Sequence, residues 1–365
     1  MDKKIIFYSP LNADVPAYKV GGAEAGCKRT LEILKKLGFQ TEMISKPTGN
    51  NGIRGYLKET ANSLKEIKKK LSVSDASLFY MVGFYEKNIF LEWCILFFVR
   101  KSKMKIIYEP KNGCMVTDYQ KGNFIYRYFQ RRVWKWADRI FCQGTKYVQF
   151  LKEILNIDGV YIPNFIMDRY LEKTVIRSFS GKTHLIFTGR ISPEKNIDLI
   201  IRVSKRLFEL GIDNDLTLIG AYKDSYKAEL DQLLTDLEIK KESVYFLGQM
   251  PPDMLFEKLK EADFFIFPST NRTEGHSNAL TEAMAFGVIP IASTAGFNRE
   301  IVGNDELIMD ELKVECYAEC IVNILKSGQI EELRQEMRQR VKQFYTESIV
   351  TKRIADALEE LLTES

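Results

Sequence analysis

The chain has 365 residues, 45% hydrophobic and 28% charged, a soluble globular balance that excludes a disordered or low-complexity protein; its length predicts two domains of similar size. The net charge of +4 hides an asymmetry, since residues 1–165 carry +13 and residues 166–365 carry −9. The first half is therefore expected to meet an anionic surface or substrate, with membrane and nucleic acid both candidates on charge alone.

Six cysteines, at 27, 94, 114, 142, 316 and 320, form no CxxC pair, and no signal-peptide pattern precedes the first strand. Reduced thiols in a cytoplasmic protein are expected. Cys316 and Cys320 share a helix face without His or further Cys nearby, which favours core residues over zinc ligands.

KKIIFYSPL opens the chain as a strand, and a helix follows from about Ala23 to Leu37, closed by Gly38. Gly21 and Gly22 sit at the turn between them. Such a pair lets a ligand approach the backbone and exposes N–H groups to phosphate, although it can also simply make a tight bend. The spacing is not G-x-G-x-x-G, which argues against a dinucleotide oxidoreductase.

FQTEMIS is the next strand, followed by a polar loop, KPTGNNGIRG, and a Lys-rich helix to about Leu71. SLFYMVG reads as a buried strand. FLEWCILFFV is an apolar helix, interrupted by Glu92 and too short to cross a bilayer, with Arg100, Lys101, Lys103 and Lys105 after it. KIIYEP is a further strand. From Asn123 to Ala137 aromatic residues mix with Arg127, Arg131, Arg132 and Lys135. That composition suits a membrane interface, and equally an amphipathic helix that packs its rings inward. No nucleic-acid module is visible.

DRIFCQGT and TKYVQFLKEIL read as a strand and its helix, VYIPNF (160–165) as a short strand and turn, and 167–182 as a linker, with the domain boundary near residue 170. The second half begins with the strand HLIFTGR and a helix led by PEKN. Arg190 and Lys195 flank the loop between them, so both cations can reach a diphosphate from one side, Arg as a fork and Lys as a point charge. The strand LTLIGAY, the segment SVYFLGQM and the helix LFEKLKEA lead to the unit that organises this half.

In that unit, residues 264–267 form a short buried strand that Pro268, Ser269 and Asn271 stop. Ser277 is placed to cap a helix over Asn278–Phe286, Gly287 ends it, and Val288–Ala292 returns as a strand. Strand, loop, helix, strand is the repeat of a doubly wound parallel sheet. Asn278, Thr281, Glu282 and Ala285 share one helix face, while Ala279, Ala283 and Phe286 make the apolar one. Glu282 is the only charge in the helix. A second carboxylate, Glu274, precedes Gly275, His276 and Ser277 at the helix start, where free N–H groups favour an anion. His184, the only other histidine, sits at a strand start and reads as packing.

Glu274 and Glu282, with seven residues between them within EGHSNALTEAMAFGVIPIAS, resemble the signature of retaining GT-B glycosyltransferases, most closely the family-4 type (glycosyl transferases group 1). FTGRISPEKNIDLII is a second match, and GGAE, VYIPNF and SVYFLGQMPPDML resemble the family's donor-phosphate loop, interdomain crossing and nucleobase loop. The resemblance implies an α/β fold of two facing Rossmann-like domains with parallel sheets. Residues 1–170 would bind the acceptor, residues 171–345 the nucleotide sugar, and the helix of 346–365 would cross back to the first domain.

It further implies a UDP- or GDP-linked sugar donor, no metal or other cofactor, and retention at the anomeric carbon. Arg190, Lys195 and the helix start at Ser277 and Asn278 would face the diphosphate, with Gly21 and Gly22 nearby. Glu282 would accept from ribose hydroxyls, and backbone atoms near Leu247, Gly248 and Gln249 would pack the base. Glu274 would orient the sugar or stabilise its cationic face, with a covalent role ranked lower, and His276 would touch sugar or phosphate. Where relatives carry a histidine after the fourth strand, this chain reads IIYEPKNG, so Tyr108, Glu109 or Lys111 are candidate substitutes.

Three readings follow. The first is transfer to a glycan or lipid-linked acceptor in cell-surface polysaccharide synthesis, at the inner face of an anionic membrane. The second is a soluble synthase acting on a small anionic acceptor such as a sugar phosphate. The third is a non-catalytic nucleotide- or sugar-binding protein, against which the set Glu274, Glu282, Arg190 and Lys195 argues.

Overall fold

The computed structural model describes residues 4–11, 22–47, 52–83, 88–172, 178–179 and 181–363. The chain divides into two compact units, residues 1–163 with 351–365, and residues 164–350. The division thus falls at 163/164, against the boundary expected near 170.

The first unit runs β1 (Lys4–Ser9), α1 (Gly22–Lys36), β2 (Gln40–Ser45), α2 (Gly52–Val73), β3 (Leu78–Gly83), α3 (Asn88–Val99) and β4 (Lys105–Pro110). It continues with α4 (Met115–Lys121), α5 (Phe124–Trp136), β5 (Arg139–Cys142), α6 (Thr145–Leu155) and β6 (Val160–Tyr161). The strands are parallel in the order β2-β1-β3-β4-β5-β6. β3 is buried along its whole length, as expected of an inner parallel strand covered on both faces. Asn123 caps α5, its side chain accepting from the Tyr126 N–H at 2.9 Å.

The second unit runs α7 (Asp168–Glu172), β7 (Thr183–Thr188), a 3₁₀ turn (Pro193–Lys195), α8 (Ile197–Glu209), β8 (Asn214–Ile219), α9 (Asp224–Asp236) and β9 (Val244–Gly248). Next come α10 (Pro252–Glu261), β10 (Phe264–Phe267), α11 (Asn278–Ala285), β11 (Ile289–Ser293), α12 (Asn298–Val302), β12 (Ile308–Met309), α13 (Val314–Ser327) and α14 (Ile330–Phe344). Its parallel strands are ordered β12-β11-β10-β7-β8-β9. A buried ion pair between Arg334 of α14 and Asp263, just ahead of β10, fastens the helix to the sheet. α15 (Glu347–Thr363) starts in this unit and belongs to the first from Thr351 onward, where Arg353 lies 5.1 Å over the Tyr161 ring.

Three elements depart from the sequence reading. The expected linker begins with a helix, α7. The two-residue strand β12 and the helix α4 had no periodic signal to announce them. In α11 every residue from Leu280 to Ala285 is buried, Thr281 and Glu282 included, because α12 and α14 also pack on that helix. Thr281 is accommodated by donating its hydroxyl to the Ser277 carbonyl at 3.1 Å.

Candidate active site

In the second unit the strand order reverses between β7 and β10: the chain steps outward from β7 to β8 and β9, then returns to β10 on the other side. The crevice at the carboxyl ends of strands at such a switch point is where open α/β sheets bind ligands. The two loops that leave there are Gly189–Lys195 and Pro268–Ser277, the two segments that the sequence singles out.

Close backbone approach fixes the first loop. Gly189 (φ +137°) donates its N–H to Ile219 O at 3.0 Å, and Gly220 (φ +149°) donates to Gly248 O at 2.8 Å. A Cβ on Gly220 would lie only 1.7 Å from the Gly189 carbonyl oxygen, so no side chain fits there. The ends of β7, β8 and β9 are thereby laced together, with Arg190 and the exposed Leu247 carried on them.

The loop turns inward at Asn196, a left-handed residue (φ 50°, ψ 51°). Its amide donates to Pro268 O at 2.7 Å and to Thr270 Oγ1 at 3.2 Å, while the Thr270 N–H donates to Glu194 O at 2.9 Å. These bonds clamp the β7 loop to the β10 loop and set Lys195 against Glu274. The Lys195 ammonium pairs with the Glu274 carboxylate and donates to Ser269 Oγ at 3.3 Å. Ser269 in turn donates to Glu274 Oε2 at 2.8 Å, and the ammonium lies 4.9 Å over the Phe267 ring.

Glu274 is held from its backbone side as well. A Cβ on Gly296 (φ +57°), in the loop after β11, would come within 2.3 Å of the Glu274 carbonyl oxygen. Ser293 Oγ donates to Ser269 O at 2.6 Å, tying β11 to the same loop. Arg190 is exposed, whereas Lys195 is mostly buried. Burial pushes the Glu194 carboxyl up, but its own backbone N–H and the charges of Lys195 and Arg190 are among the influences that outweigh this and hold it below the usual carboxylate range.

The remaining residues lie along α11. Ser277 is its N-cap, accepting from the Leu280 N–H at 3.3 Å as the sequence predicts. His276 is buried with its ring edge-on to Tyr345 at 4.9 Å, and its carbonyl accepts from Asn164 Nδ2 at 2.7 Å. Asn278 and Glu282 follow at one-turn spacing, Glu282 being buried. Gly21 lies outside the described residues, and Gly22 is the first residue of α1. His184 is no part of this site: its Nδ1 is 2.7 Å from Asp215 Oδ1 at the opposite end of β7. Among the described residues no group of three or more His, Cys, Asp or Glu is placed to hold a metal.

The candidates for the missing histidine lie in two buried clusters of the first unit. Lys111 pairs with Glu109 at 2.6 Å, and Tyr80 donates to the other oxygen of Glu109 at 2.7 Å. Lys46 pairs with Glu92 at 2.6 Å, and Tyr108 donates to Glu92 Oε2 at 2.7 Å. All four charged side chains are buried. Burial, reinforced by the adjacent carboxylates, pushes the Tyr80 and Tyr108 hydroxyls well above their usual range. Tyr108, Glu109 and Lys111 are therefore engaged with protein partners at the carboxyl end of this sheet.

Sequence reasoning missed Ser269, Asn196 and Gly296. A non-glycine left-handed residue after PEK leaves no periodic signal, and a single glycine in a loop names no partner.

Residues 168–344 match the family of glycosyl transferases group 1. The chain is 27% identical over 188 residues to lipopolysaccharide 1,2-N-acetylglucosaminetransferase of Salmonella typhimurium, an alignment covering 49% of this chain and 47% of that protein. The matched region thus spans about half the length of this curated relative. The sucrose-phosphate synthase of Thermosynechococcus elongatus superposes over the whole of both chains with a TM-score of 0.77 at 16% identity. Anabaena Alr3699/HepE, solved in complex with UDP, superposes with a TM-score of 0.70 at 15% identity over 98% of this chain and all of that one. At these identities the likeness establishes the fold, which is that of the GT-B glycosyltransferases.

Proposed function

We propose, from the membership of residues 168–344 in the glycosyl transferases group 1 family, that this chain is a retaining glycosyltransferase moving a sugar from a nucleoside-diphosphate sugar to a glycan or lipid-linked acceptor at the inner face of a membrane, in cell-surface polysaccharide synthesis. The observation that carries the reading is the Lys195–Glu274 pair set across the switch point of the second sheet. Cleavage of the sugar–diphosphate bond builds negative charge on the leaving group and positive charge on the sugar. Lys195 and Arg190 answer the first charge and the carboxylate of Glu274 the second, with the N–H groups at the start of α11 added to the diphosphate side. In this scheme the incoming diphosphate takes over Lys195 and frees Glu274 for the sugar. Glu282 holds the ribose, the backbone at Leu247 and Gly248 packs the base, and no metal is needed.

A second reading, a synthase for a small anionic acceptor such as a sugar phosphate, is favoured by the +13 charge of residues 1–165 and by the sucrose-phosphate synthase among the structural neighbours.

UDP-, GDP- and ADP-sugars screened by thermal shift test the donor site. One nucleotide class is expected to raise the melting temperature, with EDTA present, in the native protein and not in Glu282→Gln; a few-fold excess over Kd gives roughly 1 kcal/mol. No shift with any donor refutes the site. With the donor named, an α-linked product from an α-linked donor is expected by NMR, and an inverted product refutes retention.

A further inference from the structure

We propose that α5 docks the first unit onto an anionic lipid bilayer, through a face that is apolar at one end and cationic along the rest. At 100° per residue, Phe124, Ile125, Tyr128, Arg131, Arg132 and Lys135 fall within a sector of about 120°. All six are exposed, whereas Gln130, Val133 and Trp134, on the opposite side, are buried. Phe124 is 81% exposed, and Ile125 and Tyr128 about half.

α5 contains no acidic residue, and among the described residues no carboxylate pairs with Arg131, Arg132 or Lys135. Other surface helices differ: α10 pairs Lys258 with Glu261 and Lys260 with Glu257. Arg131 donates to Tyr119 Oη at 2.5 Å and Arg132 lies 5.3 Å from the Tyr128 ring centre, so these cations are oriented by rings and hydroxyls.

Beside this face, the seam between α3 and α5 is aromatic. Trp93 meets Phe129 at 5.0 Å and Trp136 at 5.7 Å, and Phe90 meets Phe129 at 5.1 Å. Arg100 and Lys101 cover its far end, over Trp136 at 4.8 Å and Phe97 at 4.3 Å. Rings at headgroup depth, cations at the phosphates and an apolar tip reaching the acyl boundary are what a bilayer surface accepts. A protein partner is a poorer fit, because the core of such an interface is depleted in charge. Nucleic acid would leave Ile125 without a stacking role.

The full chain is sedimented with vesicles of phosphatidylcholine alone and of phosphatidylcholine mixed with phosphatidylglycerol. Binding to the mixed vesicles only, weakened by salt, is expected. Arg132→Ala with Lys135→Ala should weaken it about 30-fold, from about 1 kcal/mol per cation, and Phe124→Asp at least about tenfold. Both variants alter exposed residues, and an unchanged melting temperature verifies their fold. No binding to mixed vesicles, equal binding to neutral ones, or variants that bind as the native protein does would each overturn the proposal. The donor-induced melting shift is read on the same variants and is expected to persist, so failure of the membrane surface and failure of the donor site are separable.

Discussion

Gly296→Ala isolates the placement of Glu274. The new Cβ would lie 2.3 Å from the Glu274 carbonyl oxygen, 2.9 Å from its carbon and 3.0 Å from the Gly275 oxygen. Both neighbours are backbone, so relief to 3.0 Å requires the Glu274 segment to retreat by about 0.7 Å. The substituted residue also keeps a left-handed φ of +57°, at about 1–2 kcal/mol. Gly328→Ala supplies the control, with φ +72° and nothing within 4 Å of its Cβ. Backbone strain alone should lower the melting temperature of both variants, by roughly 2–4 °C per kcal/mol. A misplacement approaching 1 Å at a reacting group costs up to about 100-fold, so only Gly296→Ala should lose turnover, by about 30- to 100-fold. The assay is release of nucleoside diphosphate under saturating donor, corrected for folded fraction. Equal turnover in the two variants would refute the claim that the Gly296 contact positions a catalytic carboxylate.

Arg334→Leu leaves Asp263 buried with the His184 N–H bond at 2.7 Å but without its cation; a loss of about 3–5 kcal/mol in urea unfolding is expected, and a loss below about 1 kcal/mol would contradict it. Glu92→Gln should likewise cost about 3–5 kcal/mol by removing the carboxylate paired with the Lys46 ammonium, without changing the donor-induced shift, since both residues belong to the first unit. Burial pushes the Cys27 thiol up from about 9 to about 12. Above pH 9 the unfolded chain therefore binds fewer protons than the folded one, and stability falls as pH rises, by about 1.4 kcal/mol per pH unit up to about pH 12. Cys27→Ala should show a shallower decline of the urea midpoint between pH 8 and pH 10, and an identical decline would contradict this assignment.

Local signals fixed much of the architecture. Apolar runs such as SLFYMVG and FFIF read as buried strands, and Ser277 marked a helix start because its side chain satisfies an N–H group that the helix cannot. Tyr108, Glu109 and Lys111 were legible as polar residues after a strand. Their internal engagement was not, because Glu92, Lys46 and Tyr80 come from distant segments.

By itself the sequence determined the alternation of buried strands and helices, the loops that carry Arg190, Lys195 and Glu274, and the basic aromatic helix, while two parallel sheets were what the family resemblance implied. Each depends on the order of neighbouring residues, on hydrophobic period or on capping. Only the tertiary structure decided that Lys195 and Glu274, 79 residues apart, form one ion pair, that Asn196 and Gly296 hold them, and that α11 is buried on both faces. Those outcomes depend on which strands become neighbours and how closely two backbones approach, quantities that no local stretch of chain encodes.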